Sequence, residues 1–307
     1  MSQNKRRFLW TAGLTVAILG SLDWHFRWDQ VPRIYALSLV GRAGPCSLSE
    51  LTRGFEVRQR QDELYKRNQK ASKVVSRTDD GFVEWDTPDG RFWTVPAQEV
   101  SFLLAEQETD IYGTGEGAVR KGDIVLDCGA NIGVFTRKAL SAGAKLVVSI
   151  EPIPALVQCL RRTFASEIQA GRVIVLPKGV WNKEDVLPMN VAIGSLDESS
   201  FVKNGPGTQK TVYLPLTTID QLVSDLQLPR VDFIKMDIEG AERQALMGGE
   251  KTIRAYKPRM TISTEHLADD DTVLPAVIQR MSPYRHACGP CSFKTHFYFG
   301  PEAINFF

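Results

Sequence analysis

The sequence predicts an α/β protein. It reads as a doubly wound, mostly parallel sheet with a C-terminal antiparallel hairpin and an apolar helix at the N-terminus. Three observations carry this. Short apolar, partly β-branched runs recur at Ile124–Leu126, Leu146–Ile150, Val173–Leu176, Val231–Met236 and Met260–Ser263, as expected of strands buried on both faces. Segments of helical spacing separate them, the pattern of a sheet built from βαβ units. The first run passes directly into Gly129-Ala-Asn-Ile-Gly133 and then a helical pattern at Val134, Phe135, Lys138, Ala139 and Ala142.

At 307 residues, with 43% hydrophobic and 24% charged residues, the chain can fold as one large or two small domains. The formal net charge of +1 gives no whole-chain argument for a nucleic-acid partner, and none is expected. Five scattered cysteines do not form a disulfide framework. Cys128 and Cys159 lie in segments that read as core, where cysteine behaves as a small hydrophobe.

Lys5-Arg6-Arg7 precede an uncharged apolar run, Phe8–Leu22, which is short for a full membrane span of about 20 residues. Trp10, Trp24 and Trp28 flank it in the manner of an interfacial belt. The Arg-Arg-Phe-Leu start is similar to a twin-arginine signal, but no small-x-small cleavage site follows. The expectation is a membrane anchor over residues 1–30 with the catalytic domain in the cytoplasm. A buried core helix is the plainer alternative. Arginines on both sides of the run leave its orientation poorly set. Residues 31–80 read as a basic linker or helical stalk, rich in Arg and Lys between Arg53 and Arg77. A solvated helix accounts for that, with attraction to anionic headgroups as the sharper reading.

Residues 81–307 read as the main domain. Phe82–Trp85 and Arg91–Val95 flank Thr87-Pro-Asp-Gly90 and predict a β-hairpin that covers it. A helix over Gln98–Gln107 leads to Gly113-x-Gly115-x-Gly117, read as a flexible loop because no strand precedes it. After Glu151 come a helix, Ala155–Gln169, and the strand Val173–Leu176. Val186–Ile193 and Val212–Leu216 read as strands around a polar loop. Thr218 and Asp220 offer a helix start before Leu222–Leu226. Helices over Ala241–Met247, Lys251–Tyr256 and Thr272–Met281 alternate with the last core strands. Tyr284–Ala287 and Thr295–Phe299 are expected to close the sheet as a hairpin.

Strand, glycine turn and helix open a nucleotide-binding unit. Asp127 at the strand end would repel a diphosphate, which the usual dinucleotide loop holds at a free helix N-terminus. Glu151, at the end of the next strand, suits ribose hydroxyls. S-adenosylmethionine has no phosphate and carries a sulfonium, an ammonium and a ribose, so it fits better than NAD. Asp127, Gly129, Asn131, Gly133 and Glu151 are the candidate cofactor-binding residues, and an α/β turn without a ligand is the alternative.

Open α/β sheets bind ligands at the carboxyl ends of their strands, and Asp127, Glu151, Asp237 and Glu265-His266 each end a predicted strand. Asp237, Glu239 and His266 are the candidates to take a proton from an acceptor hydroxyl. Two carboxylates there could instead hold a divalent cation, although no metal is assigned. Glu239 and Glu242 equally suit a helix N-terminus, and His266 equally reads as a satisfied loop histidine. Cys288-Gly-Pro-Cys291, with His286 and His296 nearby, is compatible with zinc, a redox pair, a disulfide or an ordinary turn.

Val125-Leu-Asp-Cys-Gly-Ala-Asn-Ile-Gly133, Glu151-Pro152, Thr217-Thr-Ile-Asp220 and Asp232-Phe-Ile-Lys-Met-Asp-Ile-Glu-Gly-Ala-Glu242 resemble the FkbM family of methyltransferases. The resemblance covers roughly Glu108 to His266, about half of the chain, and its acidic block is more specific than the glycine loop. It implies a class I, Rossmann-like methyltransferase fold and transfer of a methyl group from S-adenosylmethionine, usually to a hydroxyl of a sugar or natural product. The expected partner is a small-molecule, glycan or lipid acceptor. A non-catalytic binding module would be expected to lose the strand-end acids, and a reductase would want a Tyr-x-x-x-Lys pair, which is not found.

Overall fold

The computed structural model describes residues 46–307, apart from 97, 99, 110, 114, 193–198, 203–208, 296 and 297. In chain order the strands are β1 (Lys73–Arg77), β2 (Val83–Thr87), β3 (Gly90–Thr94), β4 (Ile124–Cys128), β5 (Leu146–Ile150), β6 (Val173–Leu176), β7 (Gly179–Val180), β8 (Asp185–Ala192), β9 (Gln209–Thr217), β10 (Phe233–Met236), β11 (Arg259–Ser263), β12 (His286–Cys288), β13 (Cys291–Thr295), β14 (Tyr298–Pro301) and β15 (Ala303–Phe306).

Seven strands form the main sheet in the order β12-β15-β11-β10-β4-β5-β6. β4, β5, β6, β10 and β11 are parallel, and β15 is antiparallel to both β11 and β12. Strands β4 and β10 are buried at every position, because helices cover both faces and a βαβ crossover leaves no wet side. One apolar layer gathers Leu126, Val148, Ile234 and Ile262 with Leu222, Leu246 and Ile278. The opposite layer gathers Val125, Val147 and Phe233 with Phe135, Leu160 and Phe164.

The antiparallel end differs from the hairpin expected of Tyr284–Ala287 and Thr295–Phe299. β12 pairs with β15, which inserts between β12 and β11, whereas β13 and β14 form a separate ribbon. Ala303–Phe306 is the last apolar stretch of the chain, and its four residues are all buried, so burial rather than turn chemistry selects it for the sheet. The N-terminal cover has three strands rather than two, because β1 pairs antiparallel with β2.

Strands β7, β8 and β9 form a second small sheet beside the strand ends. Thr218 caps the helix Ile219–Asp225 by accepting from the Gln221 backbone N–H at 2.9 Å. Asp220 caps a different helix, Glu250–Tyr256, accepting from the backbone N–H groups of Lys251 and Thr252 at 3.1 and 2.8 Å.

The basic stretch contributes a helix, Leu48–Ala71, opened by a capping box between Ser47 and Glu50. Its far end docks through Arg67 and Asn68 onto Glu108. Its near end is joined covalently by a Cys46–Cys291 disulfide to β13. Gly54 is required there, since a Cβ would lie 1.9 Å from the Cys291 carbonyl oxygen. Of the alternatives open for Cys288-Gly-Pro-Cys291, a disulfide forms, but it pairs Cys291 with Cys46 and not with Cys288. It also removes Cys291 as a zinc ligand, while His296 lies outside the described residues. The His286 ring lies tilted against Phe306, with centroids 5.8 Å apart.

The expectation of a membrane-anchored protein with a cytoplasmic catalytic domain is corrected. No helix among the described residues is long and apolar enough to cross a membrane. The run Phe8–Leu22, and with it the N-terminal apolar helix, lies outside the described residues.

Candidate functional site

A cavity of about 160 Å³ opens at the carboxyl ends of β4, β5 and β10. Five acidic side chains line it, Glu106, Glu151, Asp237, Glu239 and Glu265, against the two cations Lys178 and Lys235. Such a surface favours a cationic ligand.

One wall is the turn after β4. Gly129 has φ +78°, and a Cβ there would sit 1.9 Å from the Asp237 carbonyl oxygen. Only glycine lets the two strand ends approach this closely. Gly133 has φ +93° and faces the Phe164 ring, 2.3 Å from where a Cβ would be. It starts the helix Val134–Ser141 and packs it on its neighbour without lining the cavity. Asn131 also takes positive φ, 51°, and its side-chain oxygen accepts from Gln98. Its backbone N–H donates to Glu151 Oε2 at 3.0 Å, and the Ile153 N–H donates to Oε1 at 3.0 Å. Glu151 is 4% exposed, and burial pushes its carboxyl up to about 7 despite those two bonds.

Asp127 lies behind this wall, not in it. It is fully buried and does not line the cavity. Its Oδ2 accepts from the Thr136 hydroxyl at 2.7 Å, and that hydroxyl also meets Ser149 Oγ at 2.8 Å. Burial raises its carboxyl, against the opposing pull of Lys235. The structure therefore gives Asp127 the task of holding turn and helix in place, where direct contact with a cofactor was expected.

Strand register sets Lys235 of β10 beside Asp127 of β4. The Lys235 ammonium donates to the Gly129 carbonyl at 2.9 Å and lies 3.5 Å from Asp237 Oδ2 and 3.8 Å from Asp127 Oδ1. Burial alone would lower its pKa. Asp237 and Asp127 outweigh that and hold it above the ordinary lysine value. Tyr112 donates its hydroxyl to Asp237 Oδ2 at 3.1 Å, with the Lys235 ammonium 5.4 Å from its ring centroid. Burial would raise the Asp237 carboxyl, but Lys235, His266 and the Tyr112 bond hold it below its usual value.

The remaining candidates converge on His266. Its Nδ1 is 2.9 Å from Glu242 Oε1. Its Nε2 is 3.3 Å from Glu239 Oε1 and 3.5 Å from Asp237 Oδ1. Burial would lower the imidazole pKa, but Glu242 and Glu239 carry it well above the ordinary value. Glu242 Oε1 also accepts from the Ile238 backbone N–H at 2.9 Å. Glu239 reaches His266 from a left-handed backbone, φ 56°. Opposite them, burial first and then Asp237 and Glu265 push Glu106 up to about 8.

Asp237, Glu239 and Glu151 thus share one cavity edge, and His266 contacts the first two from outside its lining. Sequence reasoning missed Lys235, Tyr112 and Glu106 as site residues. Lys235 could have been found from strand alternation relative to Asp237, two residues on. Tyr112 and Glu106 arrive from outside the βα units and carry no local signal.

Comparison with known proteins adds the following. The family model described as the methyltransferase FkbM domain matches residues 127–289, just over half of the chain. The 31-O-demethyl-FK506 methyltransferase FkbM of Streptomyces tacrolimicus is 26% identical over 212 residues, covering 60% of this chain and 80% of that protein. A solved methyltransferase FkbM from Methylobacillus flagellatus KT is 19% identical with a TM-score of 0.47, covering 89% of this chain and 65% of that one. The chain therefore spans a little under two thirds of that protein's length. TYW2 of M. jannaschii, solved in complex with AdoMet, is 13% identical with a TM-score of 0.41, covering 76% of this chain and 88% of that one.

Proposed function

Because this chain belongs to the FkbM methyltransferase family, we propose that it moves a methyl group from S-adenosylmethionine to a hydroxyl of a sugar, glycan, lipid or natural product. The observation that carries this is the shared cavity edge. It sets Glu151, able to hold a ribose, beside Asp237, able to hold an acceptor hydroxyl.

The residues fit the cofactor. Each Glu151 oxygen takes one backbone N–H and keeps a lone-pair direction for a ribose hydroxyl. The excess of carboxylates around the cavity suits a ligand bearing a sulfonium and an ammonium. Gly129 and Asn131 shape the wall against which such a ligand rests. S-adenosylmethionine, when bound, supplies an electrophilic methyl group.

Asp237 orients the acceptor. Lys235, His266 and Tyr112 keep it ionised, so it accepts a hydrogen bond from the incoming hydroxyl. As that oxygen bonds to carbon it becomes cationic and strongly acidic, so even a weak base within reach can take the proton. His266 supports the carboxylate from the other side, and Glu239 in turn faces His266.

Calorimetry with S-adenosylmethionine and with NAD, followed by transfer of labelled methyl into fractionated cell extract, tests this reading. Binding of S-adenosylmethionine alone, with label appearing in a lipid, glycan or small-molecule fraction, supports it. Binding of NAD, or label on nitrogen or carbon of the product, refutes it.

A further inference from the structure

We infer that Glu242, which lies outside the cavity, is a positioning residue. It keeps the His266 imidazole doubly protonated, and that fixed cation anchors Asp237 where an acceptor hydroxyl arrives. The role of Asp237 rests on the methyl-transfer reading above. The charge of His266 does not.

Parallel pairing brings these groups together. β10 and β11 are neighbours, with Met236 opposite Ile262, so the turn after β10 and the loop after β11 leave the sheet side by side. Asp237 and Glu239 lie in that turn, Glu242 opens the helix Glu242–Met247, and His266 follows β11. Neither Glu242 nor His266 lines the cavity.

Both ring nitrogens of His266 face carboxylates. Nδ1 is 2.9 Å from Glu242 Oε1, and Nε2 is 3.3 Å from Glu239 Oε1 and 3.5 Å from Asp237 Oδ1. An ionised carboxylate only accepts hydrogen bonds, so each nitrogen has to bring a proton. The Nδ1 contact has the length of a charge-assisted bond, about 2.7–2.9 Å. An imidazolium keeps no lone pair for the acceptor's proton. Its task is to hold the carboxylate that receives the hydroxyl.

Glu242 itself is the second observation. It is fully buried. Its Oε1 takes the Ile238 N–H and His266, and its Oε2 has no hydrogen-bond partner among the described residues. A buried carboxylate needs a compensating charge, and His266 is the cation in contact with it. The third observation is the backbone of Glu239, whose φ of 56° is a conformation that side-chain-bearing residues rarely adopt. The Ser200 hydroxyl donates to the Glu239 carbonyl at 2.6 Å and holds that turn. Strain kept in place this way points to a role for the side chain it aims.

The surrounding charges agree. Lys235 and Tyr112 occupy Oδ2 of Asp237, which leaves Oδ1 to His266. Glu106, Glu265 and Asp127 each repel Asp237. Glu265 also attracts His266. Asp270, paired with Arg243, faces Glu242 from the helix Asp270–Met281. The groups recorded against the imidazole are therefore anions, which favour its charged form.

The test is a histidine NMR titration of the full chain between about pH 5.5 and 8.5, the range in which an ordinary imidazole changes charge. Four histidines are present, and His266→Gln assigns the signal. Wild-type His266 should keep both ring protons throughout. Glu242→Gln keeps the shape and one acceptor oxygen but removes the charge, so His266 should titrate inside the range. The rate of labelled methyl transfer, at saturating S-adenosylmethionine into the extract fraction that wild type labels, should then fall about tenfold per pH unit above the His266 midpoint. Wild type should lack that fall, and cofactor affinity should be the same in both proteins. Should Glu242→Gln not fold, Glu239→Gln, at a partly exposed side chain, should also lower the His266 midpoint. A neutral His266 in the wild type at pH near 7 overturns the inference, as does an unmoved midpoint in the folded variants. A rate loss in Glu242→Gln that is equal at every pH shows a merely structural role and overturns it as well. A cationic His266 in a protein that transfers no methyl group upholds the charge assignment and counts against the methyl-transfer reading.

Discussion

Glu151 offers the sharpest test of the cofactor assignment. It is 4% exposed, accepts two backbone N–H groups at 3.0 Å, and has its carboxyl pushed up to about 7. Two ribose hydroxyls donating to it would each contribute about 1.5–3 kcal/mol. Glu151→Ala should therefore weaken S-adenosylmethionine binding at least tenfold. The same substitution strands the N–H groups of Asn131 and Ile153, each costing about 1–3 kcal/mol if no water replaces the carboxylate. Glu151→Gln, which keeps one acceptor oxygen, is the gentler companion. The pH dependence has a definite sign. Hydroxyl donors favour the ionised carboxylate, so affinity should be full above about pH 7. Below it, affinity should fall by up to about tenfold per unit, since one unit is about 1.4 kcal/mol. For stability the direction is opposite. A carboxyl raised in the folded state binds a proton more tightly than in the unfolded chain, so its contribution declines as pH rises from about 4.5 to about 7. Calorimetry of wild type and Glu151→Gln from pH 5.5 to 8.5 reads both effects. An unchanged dissociation constant in a folded Glu151 variant, or a pH dependence that survives the substitution, refutes the assignment.

Three further outcomes follow from the same geometry. Asp237→Asn should lower turnover by about 10²–10⁴-fold while cofactor affinity stays near wild type; full activity in this variant alongside a dead His266→Ala would move the proton-accepting role to His266. Gly129→Ala should cost about 3 kcal/mol or more, since the new methyl meets the Asp237 carbonyl oxygen at 1.9 Å from a backbone at φ +78°, and an unchanged urea midpoint would contradict the close approach of the two strand ends. Cys46→Ser opens a disulfide spanning 245 residues and should destabilise the chain by about 2–5 kcal/mol, seen as a lower melting temperature that added reductant no longer shifts; equal melting temperatures would show that the bridge does not constrain the chain.

Local chemistry made much of the fold legible. β4, β5, β6, β10 and β11 declare themselves as apolar runs because a strand covered on both faces needs no polar alternation. Glycines 129 and 133 mark a turn that no residue with a Cβ could make. Glu151 and Asp237 could be placed at one sheet edge because parallel strands all end there. The family followed from the Asp232–Glu242 block.

Other features depend on residues far apart in the chain. Tyr112 reaches Asp237 across 125 positions, and Cys46 reaches Cys291 across 245. Neither partner carries a neighbouring signal. Asp127 shows the opposite limit. Its identity suggested a ligand contact, yet burial beneath Thr136 and Ser149 makes it a support. β15 enters the sheet ahead of the expected hairpin strand because Ala303, Ile304 and Phe306 gain more from the core than from a local turn. The sequence by itself determined the elements and the edge where function gathers, since periodicity and turn chemistry are local. Which acids face the cavity, which lie behind it, and which carboxylates enclose His266 were decided only by packing, because burial and charge pairing belong to the folded chain.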